Sequence, residues 1–479
     1  MTAYSRISPA CFLAPYHIVS LRKTLDLPLL RAKAEIFCLE EEIGKPVRGR
    51  GLNSALLLGH SQVQQFLKKL PMPRSLLLYQ NYPGLVDLAK KEGWRLLANP
   101  ADLRIQVGGR AFFETMVTEL GLPKVPGTIY PLEVLRGLGY DHWAKRLGPE
   151  FVVQLPDISQ GGGRGTFFVR SPEGYEQLKE RLKEEIWRGV KVASVSIHRY
   201  VQGIPASVAV CLTRNGVLTS RLQRQLIDLS YCKAFPEDGI FCGHVWDEGR
   251  WPSGIVRAAR RQVERIGRYL WDRGYKGILG IDFIIDEGNE EVYPLEINPR
   301  FTGAFPMLSL LYLKAGKIPL EVFHILEFLD VKYEIDVEAL NKDYSTPIRG
   351  SHLLLFLQDE IEEASVRGLR PGLYEHNEKE KMISFVSPAH DYQDIRNDKQ
   401  FVVIDGPISS TGPPPFRKSS DETGRESRSG MDYPAPRELF GSTDPPYRLC
   451  RLLFSYPIAD MNGVLSPHAL GVIDWVYDR

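Results

Sequence analysis

The sequence has 479 residues, 43% of them apolar, and a formal net charge of +1. That length predicts two to four domains with large cores. The balanced charge argues against a nucleic acid or an acidic membrane as partner. The six cysteines form no CxxC pair, which fits a reducing compartment. Charged residues interrupt the apolar stretches of the N-terminus, and no run approaches the roughly 20 apolar residues of a membrane span. We therefore predict a cytoplasmic protein.

Residues 1–100 are predicted to form a small α/β unit. Apolar runs at 55–58 and 75–79 are each followed by a helical pattern, and that alternation indicates a parallel sheet.

Residues 101–335 mix helices and strands, with lobes at about 101–200 and 201–335. Helices are predicted at 109–120, 175–188 and 255–273, the last ending near Gly274. Strands are predicted at 151–153, 166–169, 194–200, 207–213 and 218–229.

Residues 336–479 are predicted to be a β-rich accessory domain, with short strands and turns at 350–405 and 447–479. The stretch 409–446 between them is rich in Pro, Ser, Gly and charge, which favours a flexible insertion. The alternative is a loop that covers a substrate.

The strongest chemical signal is a predicted hairpin over residues 280–300. Side chains alternate faces along a strand, and a turn centred on Asn289 would pair Ile281 with Ile297, residue 283 with 295, and residue 285 with 293. One face is then wholly apolar, which fixes the register. On the other face Asp282 lies opposite Glu296, with Asn298 and Arg300 on the same side.

Two carboxylates this close repel each other unless a cation lies between them. A site of two carboxylates and an amide oxygen suits Mg²⁺, with Mn²⁺ as an alternative, and a nearby arginine can stabilise a transferring phosphoryl group. The alternative is a hairpin whose polar face is merely solvated.

A glycine-rich turn is predicted between the strands at 151 and 166. Such loops let backbone N–H groups approach phosphate oxygens. It is neither a Walker loop nor a dinucleotide fingerprint, and taken alone it could be an ordinary hairpin turn. Its residues are Gly161, Gly162, Gly163, Arg164, Gly165 and Thr166.

The order of these motifs over residues 100–310 resembles the ATP-grasp superfamily, which includes biotin carboxylase, D-alanine–D-alanine ligase and carbamoyl phosphate synthetase. The most specific element is the stretch 296–303, Glu-Ile-Asn-Pro-Arg-Phe-Thr-Gly, which is similar to the family's metal-binding strand. The resemblance implies an α/β and α+β multidomain fold. In it, an ATP-grasp domain follows a small pre-ATP-grasp α/β domain and precedes the β-rich domain.

The resemblance also implies roles for individual residues. Asp282, Glu296 and Asn298 would bind magnesium, and Arg300 would contact the γ-phosphate or an acyl phosphate. Residues 161–166 would be the phosphate flap. Arg199, Tyr200 and Val201 lie in the strand whose backbone would bind adenine, unless it is simply a strand ending in a turn. Arg110 would lie near the phosphates, unless it is a solvated helix residue.

Two positions depart from the family pattern. Gln154 stands where the strand before the flap usually carries a lysine, so that Arg110 and Arg164 would supply the charge. Pro205 stands where an acid near the ribose is often found.

Other polar residues allow more than one interpretation. Arg221, Arg224 and Gln225 could face the nucleotide, a substrate carboxylate or solvent. A zinc site at Cys232, Cys242 and His244 lacks a fourth ligand.

These observations favour an ADP-forming carboxylate–amine ligase that uses ATP and Mg²⁺, with small-molecule acid and amine substrates, and a homodimer is left open. The alternatives are an ATP-grasp phosphotransferase and a catalytically degenerate ATP-binding protein. Gln154 and Pro205 support the degenerate ATP-binding protein. No residue points to biotin or bicarbonate.

Overall fold

The N-terminal part of the chain alternates short parallel strands with helices. The computed structural model describes residues 16–156, 165–232, 238–247, 251–356, 369–404 and 448–477, apart from residues 22, 25, 33, 46, 48–52, 188, 378, 380, 381, 390 and 391. The first elements are β1 (His17–Ser20), α1 (Leu27–Arg31), β2 (Glu35–Cys38), α2 (Leu39–Ile43), α3 (Ser54–Gly59), α4 (Ser61–Lys69), β3 (Arg74–Leu77), α5 (Pro83–Glu92), β4 (Trp94–Leu97) and α6 (Ala101–Val107). β1 pairs with β2, and β3 with β4, both in parallel, which confirms the predicted parallel pairing.

One predicted strand in this part is wrong, because residues 55–58 belong to α3. The Asn53 side chain accepts hydrogen bonds from the backbone N–H groups of Ala55 and Leu56, at 2.8 and 3.1 Å. This N-cap satisfies two of the unpaired donors of the first helical turn and so starts a helix. The strand predicted at 75–79 is confirmed in its first half, by β3.

The next part is built on a four-stranded sheet with the order β5-β10-β6-β7. Its elements are α7 (Arg110–Glu119), β5 (Gly127–Pro131), α8 (Leu132–Gly137), α9 (Tyr140–Leu147), β6 (Phe151–Gln154), β7 (Thr166–Val169), α10 (Pro172–Arg181), β8 (Ile186–Trp187), β9 (Val190–Lys191) and β10 (Ser194–Arg199). Helix α10 ends seven residues before the predicted end at 188, and β8 follows it. A core around Trp143, Phe151 and Tyr175 joins the helices to the sheet.

The third part contributes most of the largest sheet. Its elements are β11 (Gly203–Thr213), β12 (Gly216–Thr219), β13 (Gln223–Ile227), β14 (Phe241–Trp246), α11 (Ser253–Trp271), β15 (Gly277–Asp286), β16 (Val292–Asn298), α12 (Phe305–Lys314), α13 (Leu320–Leu329) and α14 (Val337–Tyr344). The single strand predicted at 218–229 is two strands, β12 and β13. The predicted helix α11 is confirmed, and its apolar side packs on β11 and β15.

The C-terminal part continues the same sheet. It comprises β17 (Gly350–Phe356), β18 (Gly372–Asn377), β19 (Met382–Ser387), a 3₁₀ turn (Tyr392–Asp394), β20 (Gln400–Ile404), β21 (Arg448–Phe454) and α15 (Pro467–Val476). Helix α15 corrects the prediction of strands and turns alone at 447–479: Ser466 caps it, and Pro467 occupies its first turn.

Within the described residues the large sheet has the order β16-β15-β11-β13-β14-β17-β21-β20-β18-β19, with β12 paired to β11. The antiparallel pairing of β14 with β17 joins the third part of the chain to the C-terminal part. The division at residues 100 and 335 stays a prediction, and the insertion 409–446 lies outside the described residues. No helix in the described ranges is long and apolar enough to cross a membrane.

Candidate active site

The hairpin of β15 and β16 places the two predicted acids opposite each other. Ile281 pairs with Ile297, Asp282 with Glu296, and Gly280 with Asn298. The predicted register is therefore confirmed at the acids.

The rest of the predicted register is wrong, because a β-bulge lies between Asp282 and Phe283. Beyond it Phe283 pairs with Pro294, and Ile285 pairs with Val292. A bulge places an extra residue on one strand and changes which side chains share a face. Leu295 consequently does not join the core beneath the hairpin.

The bulge creates an apolar cluster that the sequence did not predict. Tyr293 packs with Val125 and Val201, and Ile284 and Leu295 lie against them. Ile284 is two residues from Asp282 on the same strand and so shares its face. The face of the hairpin that carries Asp282 therefore also carries part of this apolar cluster.

Asn298 holds the two carboxylates together. Its amide Nδ2 donates to Asp282 Oδ2 at 2.8 Å and to Glu296 Oε1 at 3.0 Å, while Gln225 Nε2 donates to Asp282 Oδ1 at 3.0 Å. Desolvation and the charge of Glu296 raise the pKa of Asp282 well above its usual value. A positive charge between the two carboxylates is therefore favoured. Their hard oxygen atoms fit a divalent cation such as Mg²⁺.

Arg300 is fixed at the end of the same hairpin. Its guanidinium donates to Asn298 Oδ1 at 2.8 Å and to the Tyr79 hydroxyl at 3.1 Å. Burial would lower the pKa of Arg300, but Tyr79 and the two carboxylates raise it. Tyr79 comes from the segment after β3, and no feature of the sequence signalled its role.

Arg110 is part of a buried network and is not a solvated helix residue. Its guanidinium donates to the Leu295 carbonyl at 2.7 Å and lies 3.5 Å from Glu114 Oε1 and 3.4 Å from His198 Nε2. Burial acts to raise the pKa of Glu114, but hydrogen bonds from His198 and Lys124 outweigh it and bring this pKa to about 2. Arg110 is consequently held against the strand that carries Glu296.

The glycine loop is only partly described. Gly161, Gly162, Gly163 and Arg164 lie outside the described residues. The strands on either side pair as predicted, with Gln154 opposite Thr166 and their side chains 3.4 Å apart. Gly165 has φ +103°, a conformation that favours glycine.

The segment predicted to bind adenine begins at Arg199, the last residue of β10. The backbone N–H groups of Arg199 and Tyr200 already donate to the carbonyls of Pro126 and Glu150, at 2.8 and 3.2 Å. The Val201 side chain belongs to the apolar cluster. The adenine-binding role of these three residues stays a prediction.

The remaining polar candidates point in different directions. Gln225 faces Asp282, but Arg221 donates to the Ser345 carbonyl and Arg224 to the Asp460 carbonyl. Among the described residues, no group of three His, Cys, Asp or Glu is arranged to hold a metal. The suggested zinc cluster at residues 232, 242 and 244 is not formed, and His244 instead contacts Ser207 and His352.

Comparisons with known proteins identify the fold. Residues 152–304 match the ATP-grasp domain family. A carbamoyl phosphate synthase arginine-specific large chain from Geobacillus stearothermophilus is 24% identical over 230 residues, covering 47% of this chain and 19% of that protein. A [butirosin acyl-carrier protein]–L-glutamate ligase from Niallia circulans is 30% identical over 90 residues, covering 19% and 21%. The chain thus spans about a fifth of the length of these two relatives.

Two solved structures resemble most of the chain. The biotin carboxylase domain of Hydrogenobacter thermophilus 2-oxoglutarate carboxylase, in complex with MgADP and bicarbonate, has a TM-score of 0.57 at 13% identity, covering 95% of this chain and 84% of that one. Campylobacter jejuni biotin carboxylase has a TM-score of 0.54 at 14% identity, covering 90% and 79%. Identities this low show the fold alone. The chain therefore contains an ATP-grasp domain, within residues 152–304, and shares its overall fold with the biotin carboxylases.

Proposed function

We propose that this protein is an ATP- and Mg²⁺-dependent ligase that activates a carboxylate as an acyl phosphate and joins it to an amine, with release of ADP. The observation that carries the proposal is the pair Asp282 and Glu296, directly opposite each other, with the Asn298 amide between them and Arg300 beside it. The two curated relatives support this reaction class, because they are named as a carbamoyl phosphate synthase and a glutamate ligase.

Asp282 and Glu296 would hold the magnesium ion. Asn298 would join them through Oδ1, which here accepts from Arg300 while Nδ2 faces the two acids. When bound, the ion neutralises charge on phosphate oxygens and orients them for in-line transfer. The existing hydrogen bond from Gln225 to Asp282 would orient that ligand from behind.

Arg300 would stabilise the negative charge of the transferring phosphoryl group. Its contacts with Tyr79 and Asn298 fix the guanidinium before a substrate arrives, so little reorganisation accompanies the reaction. The apolar cluster of Val125, Val201 and Tyr293, with Ile284 and Leu295, would hold the base and exclude water from one side of the cleft.

The reaction can be tested without knowing the amine. Hydroxylamine is a small amine that attacks acyl phosphates and leaves a stable hydroxamate. We expect a panel of carboxylic acids to include one that gives stoichiometric ADP and hydroxamate with the wild-type protein. Asp282→Asn and Glu296→Gln should each lower that rate at least about 100-fold, since removing one preorganised charged group in such a site costs about that much.

The control is Glu291→Gln, because Glu291 is an exposed acid of the same hairpin that lies away from the pair. Wild-type activity in both Asp282→Asn and Glu296→Gln would contradict the proposal. ADP release with phosphate retained on the acceptor would indicate a phosphotransferase. ATP binding without ADP release across the panel would indicate a degenerate binding protein.

A further inference from the structure

The two acids of the candidate metal site are held to different degrees. Asp282 is half-buried and accepts hydrogen bonds from Gln225 and Asn298. Glu296 is exposed, and its carboxylate accepts a hydrogen bond from Asn298 at 3.0 Å. A metal ligand must be fixed by its surroundings to keep its geometry. For an exposed side chain such as Glu296, that support has to come largely through the backbone of β16.

The backbone of β16 is irregular at the residue before Glu296. The register of β15 and β16 pairs Glu296 and Pro294 but skips Leu295, which is the extra residue of the bulge. A bulge leaves its extra residue unpaired and disrupts the ladder locally. Because a peptide unit is planar, the Leu295 carbonyl lies in one plane with the backbone nitrogen and Cα of Glu296. A contact that holds this carbonyl therefore also orients Glu296.

Arg110, the first residue of α7, makes that contact. Its Nη1 donates to the Leu295 carbonyl at 2.7 Å. Its Nε lies 3.5 Å from Glu114 Oε1, one turn further along the helix, and its Nη2 lies 3.4 Å from His198 Nε2. Each nitrogen of the guanidinium thus faces a protein group, and the side chain is only 17% exposed. The guanidinium is therefore engaged by the protein before any nucleotide binds.

Glu114 is itself fixed by neighbouring groups. Lys124 Nζ donates to Glu114 Oε2 at 3.0 Å, and the hydroxyl of Thr128 on β5 donates to the same oxygen at 3.2 Å. A pKa of about 2 keeps this carboxylate charged near neutral pH. A fixed negative charge beside the Arg110 guanidinium limits the directions in which the guanidinium can turn, as outer partners of metal ligands do.

We propose that Arg110 is a positioning residue for the metal ligand Glu296, which it orients through the Leu295 carbonyl. This inference rests on the proposed function, because it takes Asp282 and Glu296 as the metal ligands. The family resemblance instead implies that Arg110 lies near the phosphates, and the two roles differ in their consequences. A phosphate contact strengthens nucleotide binding with or without a metal ion, whereas a positioning contact strengthens metal binding.

The experiment measures metal affinity and nucleotide affinity separately. Electron paramagnetic resonance titration gives the Mn²⁺ affinity at saturating ADP, and calorimetry gives the ADP affinity without divalent metal ions. We expect Arg110→Gln to weaken Mn²⁺ binding by about tenfold, as for the loss of an outer partner of a metal ligand. Its ADP affinity without metal should match that of the wild-type protein. Arg110→Lys keeps the charge and a donor, and should restore part of the Mn²⁺ affinity.

The matched control is Gln262→Ala. Gln262 on α11 is buried, and its Nε2 donates to the Val292 carbonyl at 2.8 Å. This contact also joins a side-chain donor to a backbone carbonyl of β16, but it lies four residues before Glu296. Its loss should lower the melting temperature and leave the Mn²⁺ affinity unchanged. Equal loss of Mn²⁺ affinity in both variants would show that any weakening of β16 has this effect, and would overturn the specific role of Arg110.

Two further outcomes overturn the proposal. One is wild-type Mn²⁺ affinity in a folded Arg110→Gln protein, and the other is a metal-free ADP affinity that falls as much as the Mn²⁺ affinity. If Arg110→Gln does not fold, Glu114→Gln decides, because it removes the charge that orients the guanidinium and leaves the guanidinium in place. Its Mn²⁺ affinity should fall by a smaller factor, and an unchanged value would contradict the proposal.

Asp282→Asn separates this inference from the proposed function. Unchanged Mn²⁺ affinity in Asp282→Asn would contradict the metal site itself. A fall in Asp282→Asn with none in Arg110→Gln would contradict the role of Arg110 alone.

Discussion

Two pairs of like titratable groups lie on the same face of the large sheet. Asp282 opposes Glu296 across β15 and β16, and His244 opposes His352 across β14 and β17. Gln225 connects the two pairs, because it pairs with His244 in the register of β13 and β14 and donates to Asp282. The members of each pair lie directly opposite each other on antiparallel strands, and the two pairs differ in chemistry.

The histidine pair is complete within the protein. The two rings are stacked at 13°, and Nδ1 of His244 lies 2.9 Å from Nε2 of His352. A neutral imidazole has one donor and one acceptor nitrogen. One shared hydrogen joins the two rings, and their other nitrogens, Nε2 of His244 and Nδ1 of His352, contact Ser207 and Arg451. Burial and the charge of Arg451 lower the pKa of His244 to about 3, so the ring stays neutral.

The acidic pair is not complete in the same way. Two ionised carboxylates are acceptors only, and although Asn298 donates a hydrogen bond to each of them, its neutral amide does not compensate their charges. The difference teaches that a close carboxylate pair raises the pKa of one member, as at Asp282, and so favours a proton or a cation between the two groups. The same spacing in histidines makes an ordinary buried contact.

The largest expected effect comes from removing one charge of the acidic pair. We expect Asp282→Asn and Glu296→Gln to weaken Mn²⁺ binding by at least about 100-fold. Each variant removes a direct ligand, and loss of even an outer-shell partner lowers metal affinity by about 10–100-fold. Electron paramagnetic resonance titration of Mn²⁺ in the presence of ADP measures this affinity. The metal-free melting temperature should not fall, because the repulsion between the acids is removed as well.

The same titration on Glu291→Gln controls for general effects of losing an acid from the hairpin, and its Mn²⁺ affinity should match that of the wild-type protein. Unchanged affinity in either Asp282→Asn or Glu296→Gln would show that the comparison is wrong and that the acids are merely a polar face.

The second prediction concerns the pH dependence that the histidine pair confers. The pKa of His244 is about 3 in the fold and about 6.5 in an unfolded chain. Because its folded pKa is depressed, its contribution is fully present above pH 6.5 and is lost as the pH falls toward 3. Between pH 6.5 and 5 the free energy of unfolding should fall by about 2 kcal/mol through this residue, and less in His244→Gln.

Urea unfolding at pH 7, 6 and 5 measures that slope, and the comparison of slopes does not depend on the lower starting stability of His244→Gln. His142→Gln is the control, because His142 is exposed on α9. Equal slopes in the wild-type and His244→Gln proteins would mean that His244 is charged in the native state.

The sequence could predict the acidic pair but not the histidine pair. Asp282 and Glu296 are joined by a short turn, and alternation along each strand was enough to place them face to face. His244 and His352 are separated by 108 residues, and no local pattern relates strands so distant in the chain. The same reason hid Tyr79 as the partner of Arg300, which lies 221 residues away.

The errors within the hairpin and the N-terminal unit have local causes. Val292, Tyr293 and Leu295 are all apolar, so periodicity could not distinguish a regular second strand from one in which Leu295 is the extra residue of a bulge. The run at 55–58 is too short to separate a strand from a helix, and the N-cap of Asn53 decided it. Longer periodic elements such as α11 were predicted correctly, because its pattern extends over several turns.

The smallest expected effect is at Gln225, which joins the two pairs. Gln225→Ala removes the hydrogen bond to Asp282 Oδ1 but leaves all the metal ligands in place, so the Mg²⁺ concentration for half-maximal ADP release should rise by about tenfold. Gln223→Ala is the matched control. That residue lies two positions earlier on β13 and bonds to Ser207 and Trp246, so its loss should lower stability and leave the Mg²⁺ dependence unchanged. If Gln223→Ala instead raised the Mg²⁺ concentration for half-maximal ADP release and Gln225→Ala did not, the metal site would depend on Gln223 and not on Gln225.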